Sequence, residues 1–360
     1  MERIKFNSDE LKPIGTYPSI MAGMPEANRY KTPITPRENW LELINHRKPL
    51  WIPKSDDMMT LVPRVVPDNV ARAFVFDAKP LEPGEGGGKD MFGLDWVFVP
   101  VAGGSMVKPG NPAMTDANDW EKVVKFPNID EYDWETSAKQ NAKFIENCDK
   151  VISVWFMTGL FERLISFMDF EGAAMALVDE DQKDAVHAFM DRLCVLYDGF
   201  VEKFQKYYHA DVLYFHDDWG SQRSPFFSLD LCREMLVPYL KRVSDSCHKR
   251  GMKIELHSCG QVENLVPAMI EAGIDTWSGQ PMNDKYMLLE KYGSQIIIGI
   301  DPPCELTPMS TIEESDAAAE EFIKKCAPNI DKVIPIASSI FGPPQYGLKI
   351  YELSRKLLNP

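Results

Sequence analysis

The residues best suited to chemistry lie in Lys253-Ile-Glu-Leu-His-Ser-Cys-Gly-Gln-Val262. Ile254 and Leu256 alternate with Lys253, Glu255, His257 and Cys259, a period of two that reads as a β-strand. Residues two apart in a strand share a face and stand about 6.6 Å apart. The His257 imidazole and the Cys259 sulfur therefore project to one side, and both can reach a single metal ion, because Zn–N and Zn–S bonds measure only about 2.0–2.3 Å. The plainer alternative is a buried strand with one satisfied histidine and one inert cysteine. Glu255 shares the His257 face, where it can orient the imidazole or form an ion pair deeper in the fold. Asp217 and Asp218 follow another strand-like run. Neighbouring carboxylates point apart, so one of them faces a site as metal ligand or general acid or base, or both cap the loop by accepting backbone N–H bonds. Cys304 stands after a third strand, beside Asp301.

Those strands belong to a regular series. From Lys150 onward strands at 151–156, 211–215, 253–259, 275–278, 295–300 and 332–337 alternate with helical patterns, as in 181–208 and 228–251. Alternation of this kind builds a parallel sheet from βαβ units. Earlier, Thr35 and Pro36 start a short helix to His46, Trp51 lies in a candidate first strand, and 73–76 is a candidate second. The segment 71–110 also carries the strand 96–100 and many glycines and prolines, and reads as a loop-rich insertion. Thr311-Ile-Glu-Glu314 fits a capping box for a helix to Cys326. No G-x-G-x-x-G or phosphate-binding loop follows any strand, which disfavours an open nucleotide-binding sheet. The expectation is an α/β fold, a (β/α)8 TIM barrel over 48–360 with an N-terminal extension at 1–47. Its active site would lie at the C-terminal ends of the strands. Ser55-Asp56-Asp57, His216-Asp217-Asp218, His257 with Cys259, Asp301 with Cys304, and Ser338-Ser339 all fall there.

Composition bounds the function. The chain has 360 residues, 44% hydrophobic and 26% charged, as a globular domain does. A net charge of −15 argues against nucleic acid or an anionic membrane as partner and leaves small molecules and proteins. Met1-Glu-Arg-Ile-Lys-Phe6 lacks the apolar core of a signal peptide, and no apolar run is long enough to span a bilayer. The seven cysteines are scattered and form no C-x-x-C pair. A reduced, cytoplasmic protein is the expectation.

The order of these motifs resembles the uroporphyrinogen decarboxylase superfamily. The resemblance rests on the strand ending His257-Ser-Cys-Gly260, the helix ending Glu271-Ala-Gly-Ile-Asp275, His216-Asp-Asp-Trp-Gly-Ser-Gln222, Pro238-Tyr-Leu240, Gly293, Gly299 and Thr35-Pro-Arg-Glu-Asn-Trp40. It implies a (β/α)8 barrel. The arginine-rich N-terminal segment of true decarboxylases has no counterpart in Arg29 to Arg37. His257-x-Cys259, Asp90-Met-Phe-Gly-Leu-Asp-Trp96 and Gly103-Gly-Ser-Met-Val-Lys-Pro-Gly110 resemble instead the cobalamin-dependent methyltransferases of O-demethylase type. That branch implies zinc and a partner corrinoid protein, which carries the cobalamin that accepts a methyl group from a methoxylated aromatic compound. The family's third ligand, a cysteine after the last strand, is replaced by Ala337-Ser-Ser-Ile340. Cys304 would then complete a set with His257 and Cys259, or Asp217, Asp218 or Asp301 would supply an oxygen. Asp217, Asp218 and Glu255 are the catalytic candidates, and Phe92, Trp96, Trp219 and Trp277 the candidate aromatic walls, each with core packing as its simpler role. Trp155 lies near the same loops. A decarboxylase of the uroporphyrinogen type or of a smaller acid, and a non-catalytic corrinoid- or metabolite-binding homologue, are the alternatives. A homodimer is compatible with all three.

Overall fold

A computed structural model describes residues 4–19, 26–54, 57–100, 104–335 and 342–360. Its centre is a curled parallel sheet. The strands, in chain order, are β1 (Pro13–Tyr17), β2 (Ala27–Tyr30), β3 (Met58–Leu61), β4 (Gly88–Lys89), β5 (Asp95–Val99), β6 (Gly104–Val107), β7 (Val151–Phe156), β8 (Val212–His216), β9 (Lys253–Ser258), β10 (Thr276–Gly279), β11 (Ile297–Ile300) and β12 (Val333–Pro335). The central sheet runs β12-β11-β10-β9-β8-β7-β3, every pair parallel. Helices alternate with its strands, among them Leu160–Ala176, Lys183–Tyr208, Val237–Lys249 and Ile312–Cys326. This is the TIM-like arrangement expected from the strand–helix alternation.

Two expected strands fall elsewhere. Residues 50–53 form no strand. Pro49 and Pro53 flank the run and donate no ladder hydrogen bond, and Trp51 packs instead on Tyr351 with ring centroids 5.3 Å apart. Residues 73–76 make one antiparallel bridge, Phe76 to Val62. Ala73, at φ 58°, turns the chain out of the extended region just before it. Strand 96–100 forms, as β5, but in a separate antiparallel sheet β4-β5-β6 built by the insertion.

The N-terminal ends of the barrel strands are sealed. The helix Pro36–Ile44 starts with a full capping box between Thr35 and Glu38. It lays Trp40, Leu43 and Ile44 on Val151, Val212, Ile297 and Ile334, the first or second residues of their strands. Arg37 grips Asp211, one residue before β8, with Nη2–Oδ1 at 2.6 Å. The hairpin β1-β2 is tied to the same end by Tyr17 and Arg29, which both donate to Asp149. The opposite end, where the C-terminal residues of the strands gather, is where a barrel of this kind places its chemistry. Among the described residues no helix is long and apolar enough to cross a membrane.

Candidate metal and active site

Register brings the site together. β8 and β9 pair so that Tyr214 stands beside Glu255 and His216 beside His257. Alternation then puts Tyr214, His216, Glu255 and His257 on one face, with the reactive pair at the C-terminal ends. The His216 and His257 rings stack with centroids 5.1 Å apart. One ligand atom each from His216, Asp218, His257 and Cys259 lies within 4.8 Å of the other three.

The individual contacts are specific. Cys259 Sγ is 3.7 Å from His257 Nε2, and His216 Nε2 is 3.7 Å from Asp218 Oδ1. The Cys259 N–H donates to Asp218 Oδ1 at 2.7 Å and fixes that carboxylate on the chain that carries the thiol. Gly260, at φ +92°, lets the backbone turn immediately afterwards, where a Cβ would meet the Gly220 carbonyl carbon at 2.3 Å. Behind His216, Glu162 from the first turn of helix Leu160–Ala176 lies 2.7 Å from Nδ1. Arg72 donates to that carboxylate at 2.9 Å. Nδ1 is thereby engaged, and Nε2 is the ring nitrogen that faces the cluster.

The donors fit a divalent metal. Bonds of about 2.0–2.3 Å in tetrahedral geometry place ligand atoms about 3.3–3.8 Å apart, close to the 3.7 Å seen for the two pairs above. Two imidazoles, one carboxylate and one thiolate form a donor set that suits zinc. Burial and the neighbouring His216 push the His257 imidazole down to about 3, so it stands neutral with a free lone pair. Burial works against protonation of His216, but the Glu162 carboxylate outweighs it and holds the pKa above the ordinary value. Burial and the Asp218 carboxylate push the Cys259 thiol up. A bound cation reverses that last effect, because it favours the thiolate directly.

The other sequence-predicted residues sit as follows. Asp217 and Asp218 do diverge. Asp217 is fully buried and accepts from the Phe161 and Glu162 N–H groups and from Trp219 Nε1, at 3.2, 2.9 and 2.9 Å. Burial, with Glu162 next to it, pushes its carboxyl up to about 7. Glu255 is buried below the cluster, takes a hydrogen bond from the Ser278 hydroxyl, and is raised to about 7 by burial. Cys304 is exposed and is not among the four converging residues. Asp301 pairs with the buried Lys285. Trp219 and Trp277 have no exposed surface and fill the core. Trp96 is buried with Nε1 on Asp90, and Phe92 lies under the Arg163 guanidinium. Ser55-Asp56, Gly103 and Ala337-Ser-Ser-Ile340 lie outside the described residues.

Sequence reasoning missed Glu162, Arg72 and Tyr214, and did not put His216 among the ligands. Tyr214 stacks on Trp155 at 4.0 Å and 15°, Trp155 on Phe74 at 5.6 Å and 12°, and Tyr214 leads on to His257 at 5.7 Å. This row of rings is the aromatic wall beside the cluster. Its signal was present in the sequence, because Tyr214 and His216 are two apart in one strand.

Comparison with known proteins agrees with this architecture. The family model described as Uroporphyrinogen decarboxylase (URO-D) matches residues 90–331. The chain belongs to the URO-D family. Among solved structures, a methyltransferase from Methanosarcina mazei shares its fold, with a TM-score of 0.59 and 17% identity over 89% of this chain and 98% of that one. A sugar phosphate isomerase/epimerase from Parabacteroides distasonis aligns with a TM-score of 0.34 and 10% identity over 61% of this chain and 79% of that one. A comparison with curated proteins gives no match. Where the resemblance led to the expectation of a late cysteine, the described residues bring His216 and Asp218 within reach of His257 and Cys259.

Proposed function

We propose that this URO-D protein is a methyltransferase that moves the methyl group of a small methoxylated, aromatic compound to a corrinoid carried by a separate protein. The observation that carries the proposal is the convergence of His216, Asp218, His257 and Cys259 at the C-terminal ends of β8 and β9. The aromatic row Phe74, Trp155 and Tyr214, which runs up to His257, supports an aromatic substrate. The fold shared with a methyltransferase is consistent with it.

His216, Asp218, His257 and Cys259 would hold the ion. When bound, zinc supplies Lewis acidity at a substrate heteroatom, which is where an ether's barrier has to be lowered. In the reaction the O–CH3 bond breaks. Its electron pair would stay on the aryl oxygen, which takes a proton from solvent to leave as a phenol, while the methyl group would pass to the partner's corrinoid, whose reduced cobalt supplies the electron pair for the new bond. The chain's residues prepare that event. Tyr214 and Trp155, whose faces pack on their neighbours in the row, would meet an aromatic substrate with their ring edges. Asp218 is fixed by the Cys259 N–H and cannot swing away. Asp217 accepts from the first-turn N–H groups of helix Leu160–Ala176 and so holds Glu162 behind His216.

The test is direct. Purified protein is analysed for zinc, then mixed with methoxybenzenes and cob(I)alamin while methylcobalamin absorbance is followed. The proposal expects about one zinc per chain and methyl transfer that Cys259→Ser abolishes. A zinc-free protein with unchanged activity in Cys259→Ser would remove the metal from the proposal. Decarboxylation of a uroporphyrinogen-type acid without methyl transfer would replace it with the decarboxylase reading.

A further inference from the structure

The contacts behind His216 lead out of the barrel and into the insertion. Glu162 Oε2 meets His216 Nδ1 at 2.7 Å, and Glu162 Oε1 accepts from Arg72 Nη1 at 2.9 Å. All three side chains are nearly enclosed, with 10–13% of their surface exposed. Arg72 is itself held by the β4-β5-β6 sheet. Its carbonyl accepts from the Ser105 N–H of β6 at 3.3 Å, and its guanidinium lies 5.3 Å over the Trp96 ring of β5.

We infer that Glu162 and Arg72 are positioning residues for the metal site: Glu162 fixes His216 with Nε2 toward the ion, and Arg72 holds Glu162 from the insertion sheet. The inference rests on the metal reading of the four-residue cluster. An imidazole can present either nitrogen after a half-turn of its ring, and only a partner on the far nitrogen removes that freedom. Glu162 is that partner. It comes from a helix rather than from the two strands that carry the ligands, so its role is separable from theirs. A carboxylate enclosed with one imidazole would remain under-compensated, and Arg72 supplies the second, charge-assisted bond. His257 has no such carboxylate bonded to it among the described residues; its imidazole is hydrogen-bonded to the Ser278 backbone, and Glu255 below it takes the Ser278 hydroxyl. The two imidazoles are therefore oriented by different means, and only His216 is linked to the insertion.

The experiment measures metal affinity on the full chain, stripped with a chelator and titrated with zinc against a chromophoric competitor. Glu162→Gln is expected to weaken zinc by about 10–100-fold, as loss of a ligand's outer partner does. It should also alter the visible bands of the cobalt(II)-loaded protein, which a merely structural role would not move. Arg72→Met should act in the same direction, Arg72→Lys should recover part of the loss, and the double variant should bind no more weakly than Glu162→Gln alone. If Glu162→Gln does not fold, the two Arg72 variants carry the test. The inference is overturned if the Glu162 or Arg72 variants bind zinc as wild type does while His257→Ala loses it. If His257→Ala and Cys259→Ser also bind zinc normally, the metal reading itself fails, and the inference falls with it.

Discussion

Arg163→Met should be among the most damaging single substitutions outside the ligand cluster, and its damage should depend on pH. Arg163 follows Glu162 on the same helix but points the other way, into a pocket with Asp68 and Asp90. Its side chain has no exposed surface, and those of the two carboxylates have 3% and none. Nη1 donates to Asp90 at 2.8 Å, Nη2 donates to Asp68, and the guanidinium lies 4.6 Å over the Phe92 ring. Even so, burial and the nearby Asp90 keep Asp68 above its ordinary pKa. Met fills similar volume but leaves two enclosed carboxylates without a cation, a change that costs about 3–5 kcal/mol when a buried pair is broken. The variant relieves that cost by protonation. A carboxyl whose folded pKa is raised above its unfolded value stabilises the fold fully below the unfolded value, and that contribution is lost as pH rises through the folded one. Lowering the pH from 7.0 to 5.5 should therefore return part of the lost stability in the variant. Urea unfolding followed by tryptophan fluorescence, at both pH values and against wild type, measures this. A loss under about 1 kcal/mol, or a loss equal at the two pH values, would refute the argument. Arg163→Met combined with Asp68→Asn should recover part of the stability, since one buried charge is gone while the Met91 N–H keeps an acceptor.

Other perturbations probe other parts of the molecule. Trp40→Ala should cost about 3–5 kcal/mol in urea unfolding by emptying the plug under the strands. Trp40→Phe should cost far less, because the buried Trp40 Nε1 has no hydrogen-bond partner among the described residues to lose. Gly260→Ala should destabilise by at least about 1–2 kcal/mol from its left-handed backbone alone and should lower bound zinc in parallel. Wild-type zinc content in that variant would show that the turn does not set the cluster. Tyr214→Leu should raise KM for an aromatic methyl donor by about 3–10-fold through loss of an aromatic contact and of the row that holds it, and an unchanged KM would place the substrate elsewhere. Burial raises the Glu10 carboxyl, but the Arg355 and Tyr351 hydrogen bonds outweigh it and hold the pKa below the ordinary value. Its stabilising effect is thus present at neutral pH and lost as pH falls below about 4. Glu10→Gln should flatten the fall of Tm between pH 6 and 3, and parallel curves would contradict this.

Much of the fold was legible because its signals are local. Period-two alternation places β8 and β9 within a residue or two, and Thr35 and Thr311 cap the helices their side chains suggest. The same alternation puts His257 and Cys259 side by side. What it does not carry is register. That His216 stands against His257, rather than two residues up or down, depends on how β8 aligns with β9, and neither strand alone encodes that. Composition misleads at Trp51, where an apolar run between two prolines is buried by packing rather than by pairing. Glu162 had a faint signal. It is the one acid in the otherwise apolar or basic stretch Leu160-Phe-Glu-Arg-Leu-Ile165 that follows β7, and an acid in a first helical turn is ordinarily read as serving the helix dipole. Nothing local says that its carboxylate leaves the helix to meet an imidazole.

The first turn of helix Leu160–Ala176 explains how the insertion and the barrel work as one body. Gly159 lies so close to Asp217 that a Cβ there would meet the Asp217 Cβ at 2.4 Å, and the helix begins directly against the loop after β8. Asp217 then accepts the Phe161 and Glu162 N–H groups, which gives the helix N-terminus the negative partner its dipole favours. From that fixed start, successive side chains diverge by about 100°. Glu162 turns toward His216 and Arg72, and Arg163 turns toward Asp68 and Asp90. One turn of helix thus grips the ligand cluster on one side and the buried carboxylates of the 67–90 segment on the other. The buried Asp217, which the sequence offers as a catalytic candidate, is in this geometry the anchor for that turn. Asp217→Asn would keep acceptor capacity for only part of the three donors it now receives. It should therefore loosen Glu162 and lower zinc affinity in the manner of Glu162→Gln, whereas an acid that acts directly on substrate would lower kcat with zinc affinity unchanged.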